Sequence, residues 1–251
     1  MGIVVLPGTD PVVAYIDEDQ DNKVSVIRLG IGNNWWLGWS YVAAGLTRGP
    51  GSGLSLALSR ENIPVLAFWQ PSEQAGFDLC TLEFIQLVDS NRSQPEPACL
   101  RTNVARDSFV SLAFGPNGLK YLAYVEEDDR LRVAKQLPSG EWVLLGAASQ
   151  VPLVPSLIMN VDLVADPLSH ALLMAFTSVT PDRTAFGVGM VRWDNNGPWR
   201  IQDRWAFSGA SLFRAALKLT QDRVYAKPYL STVNDMTDNL LRVARYDMQP
   251  V

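Results

Sequence analysis

Short apolar runs centred on an alanine recur along the chain and give its hydrophobic pattern a period of about fifty residues. The five alanines are Ala14, Ala67, Ala123, Ala175 and Ala226, separated by 53, 56, 52 and 51 residues. A second apolar run stands ten residues earlier in every repeat, at Val4, Ala57, Ala113, Ala165 and Ala216. An internal repeat of this length indicates one supersecondary unit used five times.

Each repeat contains up to four apolar segments separated by turn residues. A polar turn and a third segment follow the alanine-centred run, and the fourth segment opens with a tryptophan in three repeats, at Trp36, Trp142 and Trp199. Segments rich in β-branched and aromatic residues between turns predict β-strands. The first two segments are apolar at successive positions, so we expect both of their faces to be buried.

Sheets stacked face to face around an axis bury both faces in this way, whereas a β-sandwich would not by itself produce the period. The predicted fold is therefore all-β, a five-bladed β-propeller with four-stranded blades. The fifth repeat ends after Leu240–Tyr246 without a fourth segment, so we predict a three-stranded last blade and nineteen strands. The expected single domain spans 1–251, with repeats at about 1–47, 48–103, 104–151, 152–209 and 210–251.

The repeat resembles tandem propeller repeats that read Ser-Leu-Ala-Leu, a turn, Pro-Tyr-Val-Ala-Tyr, an acidic turn, Val-x-Val and a Trp strand ending in Gly. Residues 63–68 and 141–146 carry this pattern here. Such repeats occur in lectins, adhesins and enzymes, so the resemblance implies blade construction and leaves function open. By size and blade number the chain is also similar to five-bladed invertebrate lectins of the tachylectin-2 kind, without a match to their sugar-binding motif.

Composition and charge narrow the classes of partner. A net charge of -5 and a pI near 4.9 oppose binding to nucleic-acid backbones. The longest apolar stretch, Val151–Val161, is broken by two prolines and is shorter than the ~20 residues of a membrane-spanning helix. One histidine, His170, and two cysteines do not form a ligand-spaced metal site, so no metal and no cofactor are expected, and His170 is expected to face solvent. The oligomeric state stays open.

Two acidic turns follow alanine-centred runs. The turn Asp17–Asp21 alternates carboxylates as calcium loops do, but it lacks the glycine and the glutamate that those loops require. Residues 126–129 stand at the same place in the third repeat. We interpret both turns as solvated acidic hairpins, with calcium binding left open.

The two cysteines are expected to face each other on the third and fourth strands of the second repeat. An antiparallel hairpin turning near Asp89 would bring Cys80 and Cys99 opposite, within the distance that a disulfide accepts. A bond would indicate an oxidising compartment, and Asn91-Arg92-Ser93 would then be an available glycosylation sequon. The sequence thus favours a soluble protein that is secreted.

Aromatic residues supply the candidate ligand site, because aromatic faces stack on sugars and amides bond to their hydroxyls. The segments 33–36 and 195–199 combine asparagines with tryptophan, yet they occupy hairpins where the repeat needs a turn and a structural Trp. Four aromatics are less dictated by the repeat and are expected near the loops of the opposite rim: Trp39, Tyr41, Trp69 and Trp205.

Three function classes remain at this stage. The sequence favours a non-catalytic recognition module whose ligand is a carbohydrate. A five-bladed glycoside hydrolase is the first alternative, and it needs carboxylates converging from different inner strands. Only Asp107 and Asp162 are placed on or beside such strands, which weakens this alternative. A protein-interaction scaffold, with a protein ligand, is the second alternative.

Overall fold

The structure is a computed structural model, which describes residues 1–6, 11–29, 39–73, 76–84, 96–102, 109–126, 131–145, 157–166, 170–180, 185–194, 197–208, 218–221, 228–234 and 240–245. Within these ranges the chain forms nineteen β-strands and one 3-10 helix, Glu18–Gln20. No helix in the described ranges is long and apolar enough to cross a membrane.

The strands form five antiparallel sheets, and in each sheet the strands are neighbours in chain order. The first sheet holds β1 (Gly2–Val5), β2 (Pro11–Asp17), β3 (Lys23–Leu29) and β4 (Trp39–Ala43). The second holds β5 (Ser52–Leu58), β6 (Pro64–Pro71), β7 (Phe77–Glu83) and β8 (Ala98–Thr102). The third holds β9 (Val110–Phe114), β10 (Lys120–Val125), β11 (Leu131–Gln136) and β12 (Trp142–Leu144).

The fourth sheet holds β13 (Leu157–Ala165), β14 (Leu172–Val179), β15 (Ala185–Trp193) and β16 (Arg200–Ser208). The fifth holds β17 (Lys218–Gln221), β18 (Pro228–Asn234) and β19 (Leu240–Arg245). The predicted all-β class, four-stranded sheets and three-stranded last sheet are therefore confirmed over the described residues. β1 pairs with β2, which also confirms that the N-terminal segment begins the first sheet.

In the fifth sheet the described strand β18 follows the predicted alanine-centred run. The alanine-centred run at 224–226 lies outside the described residues, and the described second strand is the later segment 228–234. That segment contains Tyr229, Thr232 and Val233, which suit a strand, and it pairs with β19 over six positions.

The chain divides into two compact units, residues 1–114 and 115–251. In the first unit, one face of the first sheet packs on one face of the second sheet. Val12, Ala14, Val24 and Val26 contribute from the first sheet, and Leu66, Phe68, Cys80 and Leu82 contribute from the second. Seven successive residues of β6 are buried, which agrees with the expected burial of both faces of this strand. The boundaries of the five repeats stay a prediction.

In the second unit, a glycine makes room for an aromatic ring inside the fourth sheet. Gly189 on β15 pairs with Phe176 on β14, and the Phe176 ring lies over the glycine. A Cβ added at Gly189 would overlap Phe176 Cζ and lie 2.8 Å from Cε1 and Cε2. Phe176 is itself buried, so the ring has little space to move away.

We therefore predict that Gly189→Ala destabilises the protein by about 1 to 3 kcal/mol, because the added methyl group overpacks the sheet. Chemical denaturation monitored by circular dichroism measures the change. Gly197→Ala is the matched control, since nothing lies within 4 Å of its added Cβ. Equal stability of Gly189→Ala and wild type would contradict the packing of this ring.

A disulfide joins the third and fourth strands of the second sheet. Cys80 on β7 pairs with Cys99 on β8, and their sulfur atoms are bonded with Cα atoms 4.0 Å apart. The Gln70 Nε2 atom lies 3.3 Å from Cys80 Sγ, and Gln70 Oε1 accepts a hydrogen bond from the Arg48 backbone N–H at 3.4 Å. The disulfide thus links the outer strand β8 to β7 and, through Cys80 and Gln70, to the interior of the first unit.

We predict that the double variant Cys80→Ala, Cys99→Ala loses about 3 kcal/mol of unfolding free energy, as expected when a loop of this size is no longer closed. The two cysteines are 19 residues apart in sequence. Denaturation of the variant and of the unreduced wild type measures the difference. Two thiols that react stoichiometrically in the native, unreduced protein would contradict the bond.

Candidate functional site

A carboxylate and two tyrosine hydroxyls meet at one face of the first sheet. Both Tyr15 and Tyr41 donate to Asp17 Oδ2, at 3.2 Å and 3.1 Å. The two phenolic oxygens lie 3.5 Å apart. Ser25 also hydrogen-bonds the Asp17 carboxylate, and its Oγ accepts the Gly45 backbone N–H at 3.2 Å. We call Tyr15, Asp17, Ser25 and Tyr41 the Tyr41 cluster.

Strand alternation brings the Tyr41 cluster together. Tyr15 and Asp17 are two residues apart on β2, so their side chains leave the same face of the sheet. Ser25 pairs with Tyr15 across β2 and β3, and Tyr41 pairs with Ile27 across β3 and β4. This is the face of the first sheet opposite to the core that packs on the second sheet.

The surroundings of the Tyr41 cluster favour the ionised form of Asp17 and the protonated form of Tyr15. Burial by itself would raise the pKa of the Asp17 carboxyl, but hydrogen bonds from Ser25, Tyr41, Tyr15 and the Asp19 backbone N–H outweigh it and hold that pKa below its ordinary value. Burial, followed by the bonds to Tyr41 and Asp17, raises the pKa of Tyr15 well above the usual phenol range. At neutral pH Asp17 is therefore a carboxylate that accepts a hydrogen bond from the neutral Tyr15 hydroxyl.

The most accessible side chain of the Tyr41 cluster is Tyr41, since Tyr15 is half-buried. Asp17 is only 4% exposed, whereas Tyr41 is 40% exposed. The bond to Asp17 orients the Tyr41 ring, and a phenolic oxygen that donates its proton can still accept a hydrogen bond. The arrangement thus offers an apolar ring face beside hydroxyl oxygens, which suits a ligand that has both C–H and O–H groups.

The other three aromatics predicted to bind ligand differ from Tyr41 in what the structure describes of their exposure. Trp39 is the first residue of β4 and Trp205 lies within β16 opposite Val188, but their side chains lie outside the described part. Trp69 is only 1% exposed, so the expectation that it faces a ligand near a loop is wrong. The reason is its place in β6, a central strand between β5 and β7 whose side chains are buried on both faces.

Asp107, one of the two proposed hydrolase carboxylates, lies outside the described residues. Asp162 is on β13, the first strand of the fourth sheet, and is buried. Its Oδ1 accepts the Leu163 backbone N–H at 3.2 Å. His170 is exposed, in the left-handed region at φ 59°, and its backbone N–H donates to the Asp166 carbonyl.

The acidic turn after β2 is solvated except at its first residue. Glu18, Asp19 and Asp21 are exposed, whereas Asp17 is buried in the Tyr41 cluster, so the interpretation of the whole turn as solvated is wrong at Asp17. Within the ranges that the structure describes, no three His, Cys, Asp or Glu side chains converge on a metal position. Trp199, which precedes β16, is buried against Trp193 with ring centroids 6.3 Å apart, as a structural tryptophan would be.

Sequence reasoning singled out Tyr41 but missed Tyr15, Asp17 and Ser25 as its neighbours. The signal was the spacing Tyr15-Ile16-Asp17, which puts both polar side chains on one face of a strand. The pairing of β4 with β3 could not be read from the chain, because a β-bulge shifts the register between Val26 and Ile27.

No protein-family model and no curated protein matches this sequence. Solved structures do match it in fold. AofleA from Arthrobotrys oligospora aligns with a TM-score of 0.64 and 13% identity over 99% of this chain and 70% of that one. The Aleuria aurantia lectin, a fungal lectin described as a six-bladed β-propeller with a novel fucose recognition mode, aligns at 0.58 and 12% over 98% and 73%.

An endo-arabinase from Bacteroides thetaiotaomicron aligns with a TM-score of 0.53 and 11% identity over 98% of this chain and 93% of that one. At such identities the likeness concerns the fold alone. Together with the five antiparallel sheets, it defines the protein as a multi-blade all-β propeller.

We predict that Asp17 makes part of the acid stability of the protein. Because folding lowers its pKa, its contribution is present above the unfolded carboxyl pKa of about 4 and is lost as pH falls through the folded value. The midpoint temperature of thermal unfolding, measured from about pH 5 to about pH 2, should therefore fall less steeply with acid in Asp17→Asn than in wild type.

Asp21→Asn is the matched control for this measurement, because it removes one exposed carboxylate from the same turn without touching the Tyr41 cluster. It should keep the wild-type slope. Identical slopes for wild type and Asp17→Asn would contradict the assigned role of the carboxylate.

Proposed function

We propose that this protein is a non-catalytic carbohydrate-binding module and that the Tyr41 ring contacts the apolar face of the sugar. The observation that carries the proposal is the Tyr41 cluster, an exposed aromatic ring held by its hydroxyl on a buried carboxylate. Aromatic rings on sheets stack on the C–H face of a pyranose, while hydroxyl oxygens beside them bond to its O–H groups.

Holding the ring in advance favours binding. A side chain that is already fixed loses less conformational entropy when a ligand arrives, so more of the contact energy appears as affinity. Tyr41 is fixed by the bond to Asp17 at 3.1 Å, and Asp17 is in turn held by Ser25. Trp39 and Trp205 remain candidate contacts in the same proposal.

The fold comparisons support a carbohydrate ligand without identifying it. The Aleuria aurantia lectin recognises fucose, and its fold resembles that of this chain. The chain spans about 70% of the length of AofleA and 73% of the Aleuria lectin, so their ligands are guides and not assignments. The particular sugar is left to experiment.

A glycoside hydrolase is the alternative function that the fold comparison supports, because an endo-arabinase has a similar fold. Catalysis would need a second carboxylate about 5 to 9.5 Å from the first, on the other side of the scissile bond. Asp162 is buried and holds the Leu163 N–H, which suits a structural role. A scaffold that binds protein is the other alternative, and it would rely on exposed apolar surface.

We also propose that the protein works in an oxidising compartment. The bonded pair Cys80–Cys99 carries this proposal, since disulfides persist in secreted and surface proteins and are rare in reducing cytosol. The sequon Asn91-Arg92-Ser93 would then be available for glycosylation.

On a glycan array we predict specific retention of the wild-type protein and at least about tenfold weaker binding by Tyr41→Ala, a loss of about 1.4 kcal/mol. Tyr41→Phe should bind with an intermediate affinity, because it keeps the ring but loses the bond that orients it. Titration calorimetry with the sugar that the array selects measures both changes.

Phe109→Ala is the matched control, since Phe109 is an exposed aromatic outside the Tyr41 cluster, and it should bind as wild type does. Unchanged binding by Tyr41→Ala would contradict the site. Hydrolysis of arabinan or of aryl glycosides that disappears in Asp107→Asn or Asp162→Asn would contradict the non-catalytic role.

A further inference from the structure

In three sheets, a residue of the outermost strand whose side chain the structure describes is large, apolar and exposed. Tyr41 on β4 is 40% exposed, Leu144 on β12 is 53% exposed and Ile201 on β16 is 42% exposed. Exposed outer strands commonly carry charged side chains, which discourage pairing with other chains. The three apolar residues therefore call for an explanation other than packing in their own sheets.

The three residues occupy the same register position. In each sheet the aromatic that follows the repeat alanine has a partner on the third strand: Tyr15 pairs with Ser25, Tyr124 with Arg132 and Phe176 with Gly189. Two residues beyond those partners stand Ile27, Ala134 and Val191. These three pair with Tyr41, Leu144 and Ile201, respectively.

A β-bulge adjoins this position in two of the sheets. The pairing of the third and fourth strands shifts between Val26 and Ile27 in the first sheet and between Met190 and Val191 in the fourth. In both cases the outer strand holds the extra residue, Val42 or Gln202. Bulges re-aim the side chains beside them and recur next to functional sites, so their equivalent placement points to a use for Tyr41 and Ile201.

A polar residue shares the sheet face with each exposed apolar residue. It stands three positions after the repeat alanine, as Asp17, Glu126 or Ser178. In the third sheet Glu126 Oε2 accepts from Arg132 Nε at 2.8 Å, and both side chains are partly accessible. Alternation puts Glu126, Arg132 and Leu144 on one face, as it does Asp17 and Tyr41.

The second sheet uses the same polar position differently. Its residue is Gln70, which is buried and accepts the Arg48 backbone N–H. On its outer strand the position that corresponds to Tyr41 is Pro97, next to β8, and this residue is only partly exposed. An exposed apolar side chain at this register position is therefore not a necessary product of the repeat.

We propose that Leu144 and Ile201 are ligand contacts equivalent to Tyr41, so that one chain binds more than one sugar. The inference rests on the proposed carbohydrate-binding function and extends it to three repeat-related sites. Each site offers an apolar contact for a C–H face, and the polar side chains on the same sheet face differ: the hydroxyl-bound Asp17, the Glu126–Arg132 ion pair or Ser178. Because the polar partners differ, the three sites bind the same sugar with different affinities.

The test is a methyl-resonance titration of the full chain labelled at Leu and Ile methyl groups. The probes are methyl α-L-fucoside, methyl α-D-mannoside, methyl β-D-galactoside and the sugar selected by the array. Resonances of Leu144 and Ile201 are assigned by their loss in Leu144→Ser and Ile201→Ser. We expect both to shift and saturate with a probe, and we expect calorimetry to give more than one site per chain.

Each variant should lose one site by calorimetry and keep the others, while the matched control Val5→Ser, an exposed apolar residue on β1, should keep all of them. Saturable binding at one site, with the Leu144 and Ile201 methyl resonances unmoved, overturns the inference and leaves the proposed function standing. Absence of binding to every probe and every arrayed glycan overturns both.

Discussion

The structure depends on close packing between sheets whose second strands are mostly buried, whereas the expected burial of both faces of the first strands is wrong for β1, where Ile3 and Val5 are exposed. A small residue at the centre of the second strand permits this packing. Ala14, Ala67, Ala123 and Ala175 are all fully buried. A larger side chain at any of these positions would have to displace a neighbouring strand, and overpacking of this kind typically costs about 1 to 3 kcal/mol.

Because of this packing, the inner and outer strands of a sheet differ in how far their side chains reach solvent. Inner strands form the rigid core and have little freedom to carry ligand contacts, which explains why Trp69 is buried although it belongs to a chemically attractive residue type. Outer strands have one neighbour only, so their side chains reach solvent and the backbone there tolerates bulges. The exposed apolar residues Tyr41 and Ile201 lie beside such bulges.

Within the first unit, the Tyr41 cluster is joined to the disulfide by a sequence of short contacts. Gln70 lies against Cys80 Sγ and accepts the Arg48 N–H. Arg48 lies in the segment between β4 and β5. In the same segment the Gly45 N–H donates to Ser25, which hydrogen-bonds Asp17. The disulfide and the Tyr41 cluster are therefore both held by hydrogen bonds from the segment that joins β4 to β5.

The sequence by itself determined the all-β class, the strand number and the three-stranded last sheet, because these follow from local hydrophobic patterning and its period. It also brought Cys80 and Cys99 together, since hairpin geometry relates neighbouring strands directly. The tertiary structure decided the rest. The register of β4 depends on a bulge, and the burial of Asp17 and Trp69 depends on which strands flank them. These features arise from contacts between segments that no local pattern encodes.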